Sequence, residues 1–180
     1  MDGRGRLACA DMDDAAAAVP PDLGVLTGSE REVLEGFLEL CRGAVARKLA
    51  GVAELDARRS LVPSRTTLLG LVKHLASVER EWFGMVLGGR SPAQLGIPAD
   101  DGWGPGPHDT VDGVLEDYRR ACADSRAVAA GFDLEETVVR PQLGSVSVRW
   151  IYIHMIEETA RHAGHADILR EQTDGSTGVD

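Results

Sequence analysis

The chain has 180 residues, 43% of them hydrophobic, which suits one ordinary domain with a single core. Its 29 acidic residues outnumber its 19 lysines and arginines, for a formal charge of −10, and it has no basic run. This balance argues against nucleic acid and anionic membranes as partners, because both require cations that neutralise phosphate. No stretch reaches the roughly 18 uninterrupted apolar residues of a membrane span. The three cysteines are an odd number at wide spacing, without a disulfide framework, so we expect a cytoplasmic protein.

The N terminus, residues 1–22, combines acids, alanines and a proline pair with few bulky apolar residues. This composition is typical of a mobile arm. We expect the folded domain to occupy residues 23–172 and a short tail to follow at residues 173–180.

Capping signals and apolar spacing predict the first two helices. Ser29 and Glu32 have the spacing of a capping box, so the first helix should begin there and end near Leu55. The second helix should begin within residues 64–67, and its helical apolar spacing continues as far as Gly88.

Residues 88–108 are rich in glycine and proline and too irregular for a regular element. Trp103 in this segment could cover a pocket, although a tryptophan that pins a loop to the domain is the more ordinary interpretation. Asp109 or Thr110 can then cap a third helix that ends near Gly131.

Alternating β-branched residues between Thr137 and Val148 predict an extended connection with a short hairpin. The fourth helix follows at Trp150–Glu171. Four helices of about 20 residues can bury their apolar faces only against one another. The sequence therefore predicts an all-α fold, a four-helix bundle with long connections between helices.

The fourth helix holds the densest group of potential metal ligands. His154, Glu158, His162 and His165 follow at spacings of four, four and three residues, which places them on one side of a helix. Glu158 and His162 are i,i+4 neighbours, so both side chains can converge on one ion. The spacing alone does not separate His162 from His154 and His165 as the ligand.

His74 is the third candidate ligand, because it is the histidine outside the fourth helix that helical spacing turns inward. With Glu158 and His162 it would supply two imidazoles and one carboxylate and leave a coordination position open. This donor set suits Zn²⁺, with Fe²⁺, Mn²⁺ and Ni²⁺ as alternatives. From spacing alone, an inward histidine is more often a hydrogen-bonded core residue, and a Glu–His pair at i,i+4 also occurs on solvated faces. Glu157 and Arg161 have the spacing of such a surface pair.

Two stretches of the chain resemble a known family. TLLGLVKHLASVEREWF (67–83) and IHMIEETARHAGHADILRE (153–171), with TVDGVLEDYRRAC between them, are similar to the DinB-like superfamily of metal-binding four-helix bundles. The resemblance is strongest to its actinobacterial thiol-transferase branch, which uses mycothiol and includes mycothiol-dependent maleylpyruvate isomerase. The likeness covers roughly residues 25–172, and its specificity lies in the pairing of LVKHLA with EETARHAGH.

The resemblance implies which residues form the site. In the family, a histidine of the second helix and two residues at i,i+4 in the last helix hold the metal, and here these are His74, Glu158 and His162. The isomerase is similar to this chain in having Glu at the position of Glu158. His165 and His154 are then expected beside the ligands, where either could relay a proton.

The function that this resemblance implies is thiol S-transfer. Zn²⁺ held by the three residues would bind the sulfur of mycothiol and keep it as a thiolate at neutral pH, ready to attack an electrophilic small molecule under the 88–108 segment.

The resemblance also implies that Gly164 allows two helices to approach closely at this site. The isomerase carries an additional C-terminal domain, whereas this chain ends soon after the fourth helix, so we expect S-transfer instead of isomerisation. Bundles of this superfamily often pair, which also implies a homodimer.

Two rival functions stay open at this point. The same site could activate water for hydrolysis, which turnover without added thiol would reveal. It could also be a structural site in a non-enzymatic, stress-associated metal-binding bundle, in which a fourth protein ligand such as His165 would close the coordination shell.

Overall fold

The computed structural model describes residues 27–97, 103–141 and 143–178. The arm predicted at residues 1–22 lies outside the described residues. In chain order the elements are α1 Glu30–Leu49, α2 Glu54–Ala57, α3 Leu68–Glu79 continued by a π-helical segment Arg80–Leu87, α4 Pro92–Leu95, α5 Val111–Ala129, β1 Thr137–Arg140, β2 Gly144–Ser147 and α6 Val148–Asp174.

The four long helices form the predicted four-helix bundle, and the all-α fold class is confirmed. Helix α1 packs chiefly against α6, and α3 packs chiefly against α5. The hairpin predicted before the last helix is also present, because β1 and β2 pair antiparallel with Thr137 opposite Ser147 and Arg140 opposite Gly144. None of the helices in the described ranges is long and apolar enough to span a membrane.

The helix starts follow their predicted caps. Ser29 and Glu32 form the capping box of α1, with the Ser29 amide donating to the Glu32 carboxylate at 2.7 Å. Thr110, the second of the two candidates, caps α5. Helix α1 ends at Leu49 instead of near Leu55, because the chain turns away at Gly51, which has a φ of +73°.

Two elements between α3 and α5 differ from the predictions. The second helix was expected to be uninterrupted, but it changes to π-helical geometry after Glu79, and the Gly88 amide donates to the Phe83 carbonyl at 2.9 Å. The 88–108 segment, expected to hold no regular element, contains α4. That expectation was wrong because Ser91 caps this short helix locally.

Candidate metal centre

Helices α3 and α6 bring His74, Glu158 and His162 together in the interior of the bundle. One carboxylate oxygen of Glu158, Oε1, lies 3.1 Å from Nε2 of His162 and 3.4 Å from Nε2 of His74. The three potential ligand atoms all lie within 4.8 Å of one another. The group predicted from the sequence is thus assembled in space.

The separations of the two histidine nitrogens from the Glu158 oxygen fit a shared divalent ion. Bonds of about 2.0–2.1 Å in a tetrahedral arrangement place neighbouring ligand atoms about 3.3 Å apart. The two distances to the Glu158 oxygen, 3.1 Å and 3.4 Å, bracket that value. Two imidazoles and one carboxylate are also the donors that zinc and its neighbours accept.

Burial and charge together favour the ligand forms of these side chains. Burial lowers the pKa of His162, although the Glu158 carboxylate opposes this effect. Burial alone would raise the pKa of Glu158, but the charge of His162 and the hydrogen bond to His74 lower it overall. The attraction within the pair favours a charged imidazole, whereas burial favours a neutral one, and burial prevails at His162. At neutral pH the pair is therefore a carboxylate beside a neutral imidazole, which is the state that binds metal.

Arg161 holds the second oxygen of Glu158. Its guanidinium lies 3.3 Å from Oε2 of Glu158 and also contacts Glu157, the surface partner predicted from the i,i+4 spacing. The Glu158 carboxylate is therefore oriented with Oε1 toward the two histidines. Arg161 was predicted only as a surface partner of Glu157, although its i,i+3 spacing from Glu158 was a usable signal for this second contact.

His165 contacts the back of the His162 ring. Nδ1 of His165 lies 3.3 Å from Nδ1 of His162, the nitrogen that does not face Glu158. If Nε2 of His162 serves as a ligand, its Nδ1 carries the proton and donates to His165. His165 thus lies where it can orient His162, and its Nδ1 is on the far side of that ring from Glu158.

His154 lies apart from the three converging residues. Its ring stacks on Trp150 at a centroid distance of 5.1 Å and meets the edge of Trp82 at 4.5 Å. Burial lowers the pKa of His154, while the nearby carboxylate of Glu158 acts in the opposite direction. The structure therefore places His154 in an aromatic cluster next to the site. His108 lies outside this group and is exposed.

Trp103 closes one side of the site. Its ring stacks on His74 at a centroid distance of 4.0 Å with an interplanar angle of 16°, and its edge faces His162 at 5.4 Å. It also packs against the apolar core, so it both pins its segment and covers the candidate ligands. Lys73 fixes the chain after Trp103 by contacting Asp109 at 2.9 Å.

The close backbone approach occurs at Gly70 and not at Gly164. A Cβ atom on Gly70 would lie 2.4 Å from the Trp103 carbonyl oxygen, whereas one on Gly164 would meet nothing within 4 Å. The role expected for Gly164 was therefore wrong. Gly70 was missed because the partner backbone is distant in sequence, and only the fold brings it there.

Comparison with known proteins identifies the family of the chain. No curated protein matches the chain significantly. A family model described as Mycothiol-S-transferase matches residues 33–175, a stretch that begins in α1 and extends to the end of α6, so that it contains all three converging residues. The chain thus belongs to the mycothiol S-transferase family, within the DinB-like bundles that its sequence resembles.

Proposed function

We propose that this chain is a divalent-metal-dependent S-transferase that joins mycothiol to an electrophilic small molecule. The observation that carries the proposal is the convergence of His74, Glu158 and His162, whose ligand atoms lie within 4.8 Å of one another. The family supports the thiol as the nucleophile.

The three residues would hold the ion through two imidazole nitrogens and one carboxylate oxygen. Zn²⁺ suits this set best, with Fe²⁺, Mn²⁺ and Ni²⁺ as alternatives. When bound, the ion would supply a Lewis acid that lowers the pKa of a thiol from its usual value near 8.5. Glu158 contributes one negative charge, which leaves the loaded site attractive to an anionic sulfur.

The surrounding side chains would orient the ligands and exclude water. Arg161 fixes Glu158, with its guanidinium 3.3 Å from Oε2. His165 orients His162 across the 3.3 Å contact between their Nδ1 atoms. The indole of Trp103 shields His74 from solvent on the stacked face. We assign His165 a positioning role, because its contact is with a ligand and not with the reacting atoms.

The reaction we propose is a nucleophilic displacement. The sulfur of mycothiol forms a bond to an electrophilic carbon, and the leaving group departs with its bonding electron pair. The thiol proton passes to water, so no external oxidant or reductant is required.

The test combines mycothiol with monochlorobimane, which becomes fluorescent when a thiol displaces its chloride. Zinc-loaded wild-type protein should accelerate the reaction above its uncatalysed rate, and His162→Ala should lose roughly 100-fold or more of that activity. Glu157→Ala, a neighbouring acid whose partner is Arg161 on the surface, is the matched control and should retain it. A rate equal to background, or an unchanged rate in His162→Ala, would overturn the proposal.

Two observations weigh against the rival functions. Glu158, the acid that contacts both histidines, would serve as a ligand and could not also act as the general base for hydrolysis. Nδ1 of His165 contacts the far side of the His162 ring, which does not suit a fourth ligand of a closed structural site. Turnover without thiol would support hydrolysis, and a zinc-loaded protein that binds no thiol would support a structural site.

A further inference from the structure

A groove runs along the C-terminal half of α6 beside the candidate metal centre. We call it the His165 groove, and it is lined by Val62, Ser64, Thr66, His165, Ile168 and Leu169, with a volume of about 330 Å³. This volume is at the lower end of the range for small-molecule pockets, roughly 300–1,000 Å³. It suits a molecule of one or two rings.

The wall opposite α6 is held in place by the chain before α3. The hydroxyl of Ser60 shares its single proton between the carbonyl oxygens of Val62 at 2.8 Å and Ser64 at 2.5 Å, both of which accept. These bonds close a turn ahead of Thr67, the residue that caps α3. The groove wall is therefore arranged before any ligand binds, which reduces the entropy lost on binding.

The chemistry of the lining favours an apolar occupant. The hydroxyls of Ser64 and Thr66 bond to each other at 2.8 Å, which occupies part of their hydrogen-bonding capacity. The rest of the lining includes the apolar side chains of Val62, Ile168 and Leu169. Ile168 leaves 55% of its surface exposed, so an apolar ligand would remove that surface from water.

The groove is joined to the metal centre through His165. This residue lines the groove, and its Nδ1 contacts the ring of the candidate ligand His162 at 3.3 Å. His165 follows His162 by three residues, a rise of about 4.5 Å along the helix. A ligand in the groove would thus lie against His165, one side chain away from the candidate ligand His162.

We infer that the His165 groove binds the apolar part of the electrophilic substrate and not the thiol. This inference rests on the proposed S-transferase function, and it places the electrophile beside His165 instead of under the 88–108 segment, where the sequence analysis expected it. Mycothiol is rich in hydroxyl groups, which would lose hydrogen bonds to water in a groove whose own hydroxyls are paired with each other. An aromatic or alkyl electrophile has no such hydrogen bonds to lose, and its reactive carbon would extend past His165 toward the metal centre.

A binding experiment tests the groove without any need for catalysis. The full chain is titrated with N-phenyl-1-naphthylamine, a neutral apolar fluorophore, and Ile168→Glu should weaken binding about tenfold because it introduces a charge into the groove. Ile153→Glu is the matched control, since Ile153 lies on the same helix with 53% of its surface exposed, outside the groove lining. Circular dichroism checks that both variants keep the helical content of the wild type. Equal weakening in both variants, or no weakening in Ile168→Glu, would overturn the assignment.

A kinetic experiment then identifies which substrate uses the groove. In Ile168→Glu the KM for monochlorobimane should rise about tenfold, while the KM for mycothiol stays at its wild-type value. A rise in the mycothiol KM instead would show that the thiol occupies the groove and would overturn the inference. A wild-type protein without S-transferase activity would refute the proposed function, whereas the fluorophore titration would still report on the groove.

Discussion

Two of the polar clusters among the described residues differ in how their charges are balanced. Arg42 and Glu79 form a closed pair: two guanidinium nitrogens meet the two carboxylate oxygens at 2.7 Å and 2.5 Å, and the residues are only 5% and 1% exposed. In the candidate metal centre, by contrast, two imidazole nitrogens face the same oxygen of Glu158.

The difference shows how a structural pair can be told from a ligand set. The Arg42 guanidinium donates to both carboxylate oxygens of Glu79 and also to Glu39, so the buried charges already have their partners. Three ligand atoms whose lone pairs face one another repel each other unless a proton or a cation lies between them. The side chains of His74 and Glu158 also remain 16% and 14% exposed, so the second cluster is accessible to an ion.

The largest expected effect comes from breaking the closed pair. Arg42→Ala should lower the free energy of unfolding by about 3–5 kcal/mol, because it leaves the Glu79 carboxylate buried without its partner. The measurement is urea denaturation of metal-free protein. The double variant Arg42→Met, Glu79→Leu removes both charges and should be far less destabilised. A double variant as unstable as Arg42→Ala would contradict the view that the pair is purely structural.

Metal loading should stabilise the folded chain by a comparable amount. Zn²⁺ at 100 times its dissociation constant should raise the free energy of unfolding by about 2.7 kcal/mol, because the assembled site exists only in the folded state. Thermal or urea denaturation with and without zinc measures this gain. His74→Ala should show little of it, and an equal gain in that variant would place the bound zinc elsewhere.

The capping residues and the histidine site differ in how far the sequence could predict them. Ser29 and Thr110 are recognisable because a cap bonds to the backbone of its own helix, within three residues. The i,i+4 pair of Glu158 and His162 is local in the same sense. Spacing and periodicity could nominate His74, but only the family resemblance favoured it as the third ligand.

The features that the sequence did not reveal depend on contacts between distant segments. Trp103 stacks on His74 because the chain after it is fixed to α3 through Lys73. The Trp103 carbonyl oxygen occupies the space that a Cβ atom on Gly70 would need, for the same reason. The π-helical geometry of Arg80–Leu87 was also missed, since apolar spacing does not distinguish it from an α-helix over so short a stretch.

His165 offers a smaller perturbation of the site. His165→Ala should weaken zinc binding by about 10- to 100-fold, because the His162 ring loses the partner of its Nδ1. His165→Gln keeps a hydrogen-bond acceptor and should recover part of the affinity. His154→Ala, which removes a ring packed between tryptophans, should bind zinc with nearly wild-type affinity. Zinc competition with a chromophoric chelator measures all three, and an equal loss in His154→Ala would contradict the assigned positions.

The smallest effects concern the two glycines. Gly70→Ala should destabilise the fold by about 1 kcal/mol, the low end for an overpacked contact, because the Trp103 backbone must shift. Gly164→Ala fills open space within a helix and should stabilise it by about 0.5–1 kcal/mol. Urea denaturation of the two variants side by side gives the sign of each change in the free energy of unfolding. Destabilisation by Gly164→Ala would restore the close approach originally expected there.

The most direct measurement is a calorimetric titration of chelator-treated protein with Zn²⁺, using the wild type, Glu158→Ala and Glu157→Ala. These two acids are neighbours on α6 and both contact Arg161, but only Glu158 contacts the histidines. One equivalent of zinc should bind to the wild type and to Glu157→Ala, and that binding should be lost in Glu158→Ala. Absence of binding in the wild type, or equal binding in Glu158→Ala, would contradict the metal centre formed by His74, Glu158 and His162.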